Sequence, residues 1–272
     1  LAEHTPVWPA EPAFTGRQGK VDVGGARLHY WDNRVDGPVV LLLHPHTGGG
    51  EIWGHQHAAF ARAGLRTVSY SRRGYHHSDR GPAGPPVSAA EDLRALIDAL
   101  GIKRCHLLGT GSGGGYALGC ALALAGRVRT LTLANSLLGL TEPDFAAETA
   151  TLLGASWRDL PEEVRELGPA YRAGNPLGLA RWRRFLARSA GAVPQAMPGV
   201  GGYAAIASIS APTLLLGGDA DRYLPPARLR RLAARFADHE VVILPGVGHA
   251  AFWEQPAAFN AAVLDFIARR DR

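Results

Sequence analysis

The stretch Val39–Leu43 is aliphatic at every position, the pattern of a strand buried on both faces of a sheet. Further strands are predicted at Arg66–Tyr70, Cys105–Leu108, Val128–Leu133, Thr213–Leu216 and Glu240–Leu244. Between them, apolar residues return at helical spacing over Gln56–Ala63, Ser112–Leu124, Pro226–Phe236 and Pro256–Ala268. A further helix runs to Leu100 with Leu93, Leu96, Ile97 and Leu100 on one face, and Ser88-Ala89-Ala90-Glu91 predicts a capping box at its start. Val21–Val23, Gly24-Gly25 and Arg27–Trp31 read as a hairpin, because paired glycines supply the positive φ angles of a two-residue turn. Residues before about Gly19 are proline-rich and read as an arm over the surface. Strands alternating with helices predict an α/β fold with a mostly parallel sheet covered on both faces. The rhythm breaks over residues 136–208, which are helical, aromatic and proline-containing. The expected division is therefore a core of residues 1–135 and 209–272 with an inserted helical lid at 136–208.

Composition narrows the function classes. The chain of 272 residues is 46% apolar and can bury a large core. Its net charge of +5 is carried by scattered arginines, and lysine is confined to Lys20 and Lys103. The arginine clusters 181/183/184/188 and 228/230/231/235 fall on predicted helices and read as solvated faces. No aromatic-interleaved basic patch suggests nucleic acid. No apolar run is long enough to span a membrane, and no secretory signal is visible after Leu1. Cys105 and Cys120 lie in an apolar strand and an apolar helix and read as small buried hydrophobes. The expectation is a cytoplasmic protein whose partner is a small-molecule substrate, with no cofactor, no metal and no preference of oligomeric state.

The chemistry is concentrated in His106–Gly115, a strand running into clustered glycines and then an alanine-rich helix. Gly109, Gly111 and Gly114 satisfy the dinucleotide fingerprint G-x-G-x-x-G. That fingerprint needs an acidic residue some 20 positions on for the ribose hydroxyl, yet Gly115 to Thr141 contains no Asp or Glu. The motif also follows several predicted strands instead of opening the first βαβ unit. The other device of this shape is the nucleophile elbow G-x-S-x-G.

Four further segments accompany it, each after a predicted strand: His44-Pro45-His46, Arg73-Gly74-Tyr75 with Ser78-Asp79, Gly218-Asp219-Ala220-Asp221, and Gly246-Val247-Gly248-His249. In this order they resemble the oxyanion turn, the R-G-x-G-x-S segment, the acid turn and the histidine turn of the α/β-hydrolase fold superfamily. Proline stands for the usual glycine at Pro45, and His76-His77 replace the usual small residues. Aligning Leu100-Gly101-Ile102 upstream and Arg127-Val128-Arg129 downstream with the superfamily pattern places the nucleophile position at Gly111, with Ser112 one residue late.

The resemblance implies that Asp221 orients His249 and that the backbone N–H groups of His46 and Ser112 form the oxyanion hole. With glycine at position 111 there is room for about one water above the turn. Non-covalent chemistry on a small hydrophobic ester, lactone or carbonyl compound follows, with His249 as general base. Hydrolysis leads; a lyase, isomerase or cofactor-free oxygenase would use the same groups. Two alternatives stay open: a conventional ester or C–C hydrolase with Ser112 as a displaced nucleophile, and a non-catalytic binder of small ligands. His46, Trp157 and Trp182 are candidate substrate contacts, although tryptophans in a lid serve packing equally well. His44 and His106 read as strand-end packing, and His55 and His57, two apart on a helix, are a poor metal pair.

Overall fold

The computed structural model describes residues 8–197 and 200–271. Strands β1 (Arg17–Asp22) and β2 (Arg27–Asp32) form a hairpin, followed by β3 (Val39–Leu43), β4 (Arg66–Tyr70), β5 (Cys105–Thr110), β6 (Val128–Ala134), β7 (Thr213–Gly218) and β8 (His239–Leu244). They make one eight-stranded sheet in the order β1-β2-β4-β3-β5-β6-β7-β8. The β1–β2 and β2–β4 pairs are antiparallel, and all the others are parallel. The hairpin turn has φ near +78° at Gly24 and +79° at Gly25, as its glycine pair predicts.

Side chains of β3 alternate between two cores. Leu41 and Leu43 join a cluster with Leu93, Leu96 and Ile97 of α2 (Ala89–Ala99), Ala117 and Leu118 of α3 (Ser112–Ala123), and Leu229 and Leu232 of a later helix, Pro226–Ala233. Val40 and Leu42 face the opposite cluster, with Phe60 of α1 (Gly54–Arg62) and Phe259, Val263 and Phe266 of the C-terminal helix, Pro256–Arg270. The period-two pleat thus explains why this run is apolar throughout.

Between β6 and β7 lie α4 (Pro143–Leu153), α5 (Glu162–Glu166), α6 (Pro169–Gly174), α7 (Pro176–Ala187) and α8 (Tyr203–Ala207). Their buried residues divide between the two main cores: Phe145 and Ile206 join the first, Leu167, Tyr171 and Trp182 the second. After β7 come α9 (Pro226–Ala233), α10 (Ala251–Glu254) and α11 (Pro256–Arg270). No described helix is long and apolar enough to cross a membrane.

Some sequence expectations need correction. The first strand starts at Arg17, so Gly19 lies inside it, paired with Tyr30. This is an edge strand of mostly exposed polar residues, which carries little hydrophobic signal. The capping box does not form, since Ser88 makes no side-chain cap bond. Its neighbours instead pair in strand fashion with Ala196: the Ala89 N–H donates to Ala196 O, and the Ala196 N–H to Val87 O. Arg228 is not on a solvated face but is buried, donating through Nη2 to the Phe145 carbonyl at 2.8 Å and pairing with Glu148 at 3.3 Å. Both cysteines are buried and unpaired, and burial pushes the Cys105 thiol up to about 12.

Candidate active site

Parallel strands β3, β5, β6, β7 and β8 all end on one edge of the sheet, and every candidate residue follows one of those ends. Gly111 sits between β5 and α3 with φ +54° and ψ −126°, in the left-handed region that favours glycine. The sharpness of this turn rests on a second glycine. A Cβ on Gly113 would lie 2.2 Å from the Leu43 carbonyl oxygen, so only glycine lets α3 approach β3 this closely. A Cβ on Gly111 itself would stand 3.1 Å from the Pro45 Cβ. The proline at the centre of the His44-Pro45-His46 turn therefore packs against the space that a side chain at position 111 would enter.

Ser112 is exposed at the first turn of α3, and its Oγ lies 3.4 Å from the Arg72 Nη2, from which it accepts. Among the described residues it makes no hydrogen bond with His249. His46 is also exposed, with Nδ1 3.2 Å from the Tyr75 hydroxyl. His44 is fully buried: its Nδ1–H donates to the Pro45 carbonyl at 2.7 Å, and its Nε2 accepts the Arg72 backbone N–H at 3.1 Å. Burial and the Arg72 charge hold it neutral, well below the usual histidine range. His44 is thus structural, and so is His106, which contacts the Thr130 hydroxyl at 2.9 Å. His57 bonds Ser69 at 2.8 Å, whereas His55 lies 6.5 Å from the Trp253 ring; they do not converge.

The Asp221 and His249 turns do meet. The His249 Nδ1–H donates to Asp221 Oδ2 at 2.8 Å, leaving Nε2 on the opposite edge of the ring. Asp221 is buried and accepts three more bonds: from Asn135 Nδ2 at 3.0 Å and from the backbone N–H groups of Tyr223 and Leu224 at 2.9 and 3.2 Å. Burial opposes its ionisation, but the His249 charge and these donors outweigh it and hold the carboxyl below its ordinary range. Burial alone would also keep His249 neutral. The neighbouring carboxylates of Asp221, Glu166 and Glu254 overcome that and raise its pKa to about 9.

Three members of this network have no motif in the sequence. Asn135, at φ +45° just after β6, accepts the Gly111 N–H through its carbonyl at 3.2 Å while its side chain holds both Asp221 and the Gly248 carbonyl. It is the direct link between the glycine turn and the acid–histidine pair. Glu166 of α5 accepts the His249 N–H through its backbone carbonyl at 2.8 Å, and its half-buried carboxyl accepts from the Tyr223 hydroxyl at 3.3 Å. Glu254 of α10 accepts from the N–H groups of Gly168, Gly248 and Ala250, tying the start of α6 to the histidine turn; burial outweighs these donors and pushes its pKa up to about 7. The only available signal was position, since Asn135 ends a strand and Glu254 follows His249 closely.

Tyr223 lies over the His249 ring at 4.4 Å, and Trp157 meets Tyr223 edge-on at 5.2 Å. Trp157 also lines a cavity of about 710 Å³, with Leu137, Leu140, Phe145, Thr149 and Leu153. Trp182 does not line this cavity. It is buried in the second core, 5.8 Å from Trp253, and serves packing.

A buried histidine–aspartate pair at the carboxyl edge, linked through Asn135 to a glycine-pinned strand–helix turn, is an arrangement of known lineage. Residues 40–262 match the model of the Alpha/beta hydrolase family. The chain belongs to that family. It is 31% identical to a 2-hydroxy-6-oxononadienedioate/2-hydroxy-6-oxononatrienedioate hydrolase of Klebsiella pneumoniae, over 96% of this chain and 98% of the relative. A protein of the same kind from Pseudomonas putida is 30% identical over 92% and 94%. The crystal structure of an enol-lactonase from Burkholderia xenovorans superposes with a TM-score of 0.74 at 25% identity, covering 92% of this chain and all of that one. The protein is accordingly an enzyme of the α/β-hydrolase superfamily.

Proposed function

We propose that this α/β-hydrolase turns over a small organic ester, lactone or carbonyl compound with the Asp221–His249 pair and an oxyanion hole, and without a covalent serine intermediate. The observation that carries this reading is the turn itself. Gly111 holds the apex at φ +54°, while the adjacent Ser112 Oγ is engaged by Arg72. In this scheme His249 Nε2 takes a proton from water as the water oxygen attacks the substrate carbonyl. The negative charge forming on the carbonyl oxygen is met by the N–H groups of His46 and Ser112 at the start of α3. The imidazolium, stabilised by Asp221, then returns the proton to the leaving group. The helices between β6 and β7 act as the lid, and the cavity beside Trp157 receives the apolar part of the substrate.

The names of the relatives favour a keto-dienoate or an enol-lactone among the candidate substrates. The test is turnover of 4-nitrophenyl esters, enol-lactones and 2-hydroxy-6-oxononadienedioate, paired with exposure to a fluorophosphonate. Turnover without a pre-steady-state burst and without labelling is expected. A fluorophosphonate adduct on Ser112 would make this a conventional serine hydrolase with a shifted nucleophile.

A further inference from the structure

Arg72 is 2% exposed, and among the described residues its guanidinium has no carboxylate partner. A buried cation without a counter-ion is costly, so its surroundings must compensate it. Nη1 donates to the His44 carbonyl, and Nη2 donates to the Pro45 carbonyl at 3.1 Å and to Ser112 Oγ at 3.4 Å. The guanidinium also lies 4.5 Å from the ring centre of Tyr116 and 4.9 Å from that of Tyr75. One side chain thus joins the turn after β3 to the first residue of α3, the two segments that supply the hole.

The Pro45 carbonyl belongs to the same peptide as the His46 N–H. It accepts from Arg72 and, at 2.7 Å, from His44. In a trans peptide the N–H points opposite to the carbonyl, so two donors on the oxygen fix where the His46 N–H aims. They also draw electron density from the amide and strengthen its N–H as a donor. Proline at position 45 has no N–H of its own, so the His46 N–H is the donor this turn can offer.

We propose that Arg72 is a positioning residue that aligns and polarises the oxyanion hole, through the Pro45–His46 peptide on one side and Ser112 on the other. The inference rests on the assignment of the His46 and Ser112 N–H groups to that hole. Its test is built on Arg72→Met and Arg72→Lys, read first by ¹H–¹⁵N spectra of the unliganded protein. The His46 and Ser112 amide resonances should move in Arg72→Met, and less in Arg72→Lys, while the His249 ring signals stay in place. With any compound the native protein turns over, Arg72→Met should lower kcat by about 10²-fold with KM within about threefold, and Arg72→Lys should recover part of the loss. Unmoved His46 and Ser112 resonances in a folded variant would overturn the proposal, as would a loss confined to KM. Should Arg72→Met not fold, Arg72→Lys decides by the same resonances. If the native protein turns over none of the compounds, the catalytic reading fails separately, and the spectra still decide the role of Arg72.

Discussion

The two halves of the site are held in different ways. On the acid–histidine side, side chains do most of the holding: Asp221 accepts four hydrogen bonds, Asn135 and Glu254 brace the turns around His249, and Glu166 adds its backbone carbonyl. On the elbow side close backbone approach sets the turn, and the Arg72 side chain ties it to the segment after β3. Gly111 and Gly113 set the turn by what they lack, and the Pro45 ring occupies the approach to the missing side chain. The strand–turn–helix geometry rests on the positive φ of Gly111 and on the close backbone approach at Gly113. Under the proposed mechanism, the acid–histidine pair with glycine at the apex of the turn leaves water as the attacking group.

Removing the base should break this comparison most severely. His249→Ala is expected to cost about 10²- to 10⁴-fold in kcat, whereas Ser112→Ala, which keeps its backbone N–H, should cost about threefold or less. Steady-state kinetics on one substrate decides between them, and equal losses would place Ser112 in the chemistry.

The next effect is one of pH. With its pKa raised to about 9, His249 is an imidazolium at neutral pH and must lose that proton to act as a base. kcat/KM should then climb by about tenfold per pH unit from neutrality and level off near 9. A profile that falls through the same region would assign His249 the role of acid.

The smallest effect concerns the elbow and sharpens the contrast. Gly111→Ser puts a side chain at positive φ, a strain of about 1–3 kcal/mol, and sets its Cβ 3.1 Å from that of Pro45. Fluorophosphonate labelling should be slow in this variant and faster once Pro45→Gly is added. Thermal melts and mass spectrometry report both quantities. A folded double variant that resists labelling would show that the base and the hole do not face position 111.

Much of this was legible in the chain because it depends on near neighbours. Strand and helix order follows from apolar periodicity over a few residues, and the sharp strand–helix turn at Gly111 follows from the clustered glycines around it. The identities of Asp221 and His249 follow from turns at the ends of strands. What failed at the sequence level also failed locally: the exposed edge strand from Arg17 carries little apolar pattern, and Ser88 is drawn into pairing with Ala196. Tertiary structure decided the rest. Asn135 meets Asp221 across 86 positions, Gly168 meets Glu254 across 86, and Arg72 meets Ser112 across 40. Such contacts leave no periodicity or spacing, since a side-chain hydrogen bond constrains only where two residues lie in space and not how far apart they stand in the chain. Trp182 shows the converse: an aromatic residue in the inserted segment reads as lid, but burial against Trp253 assigns it to the core. The chain itself determined the scaffold and the chemical groups on its rim; packing determined which of them are braced, which are buried, and that Ser112 turns toward Arg72.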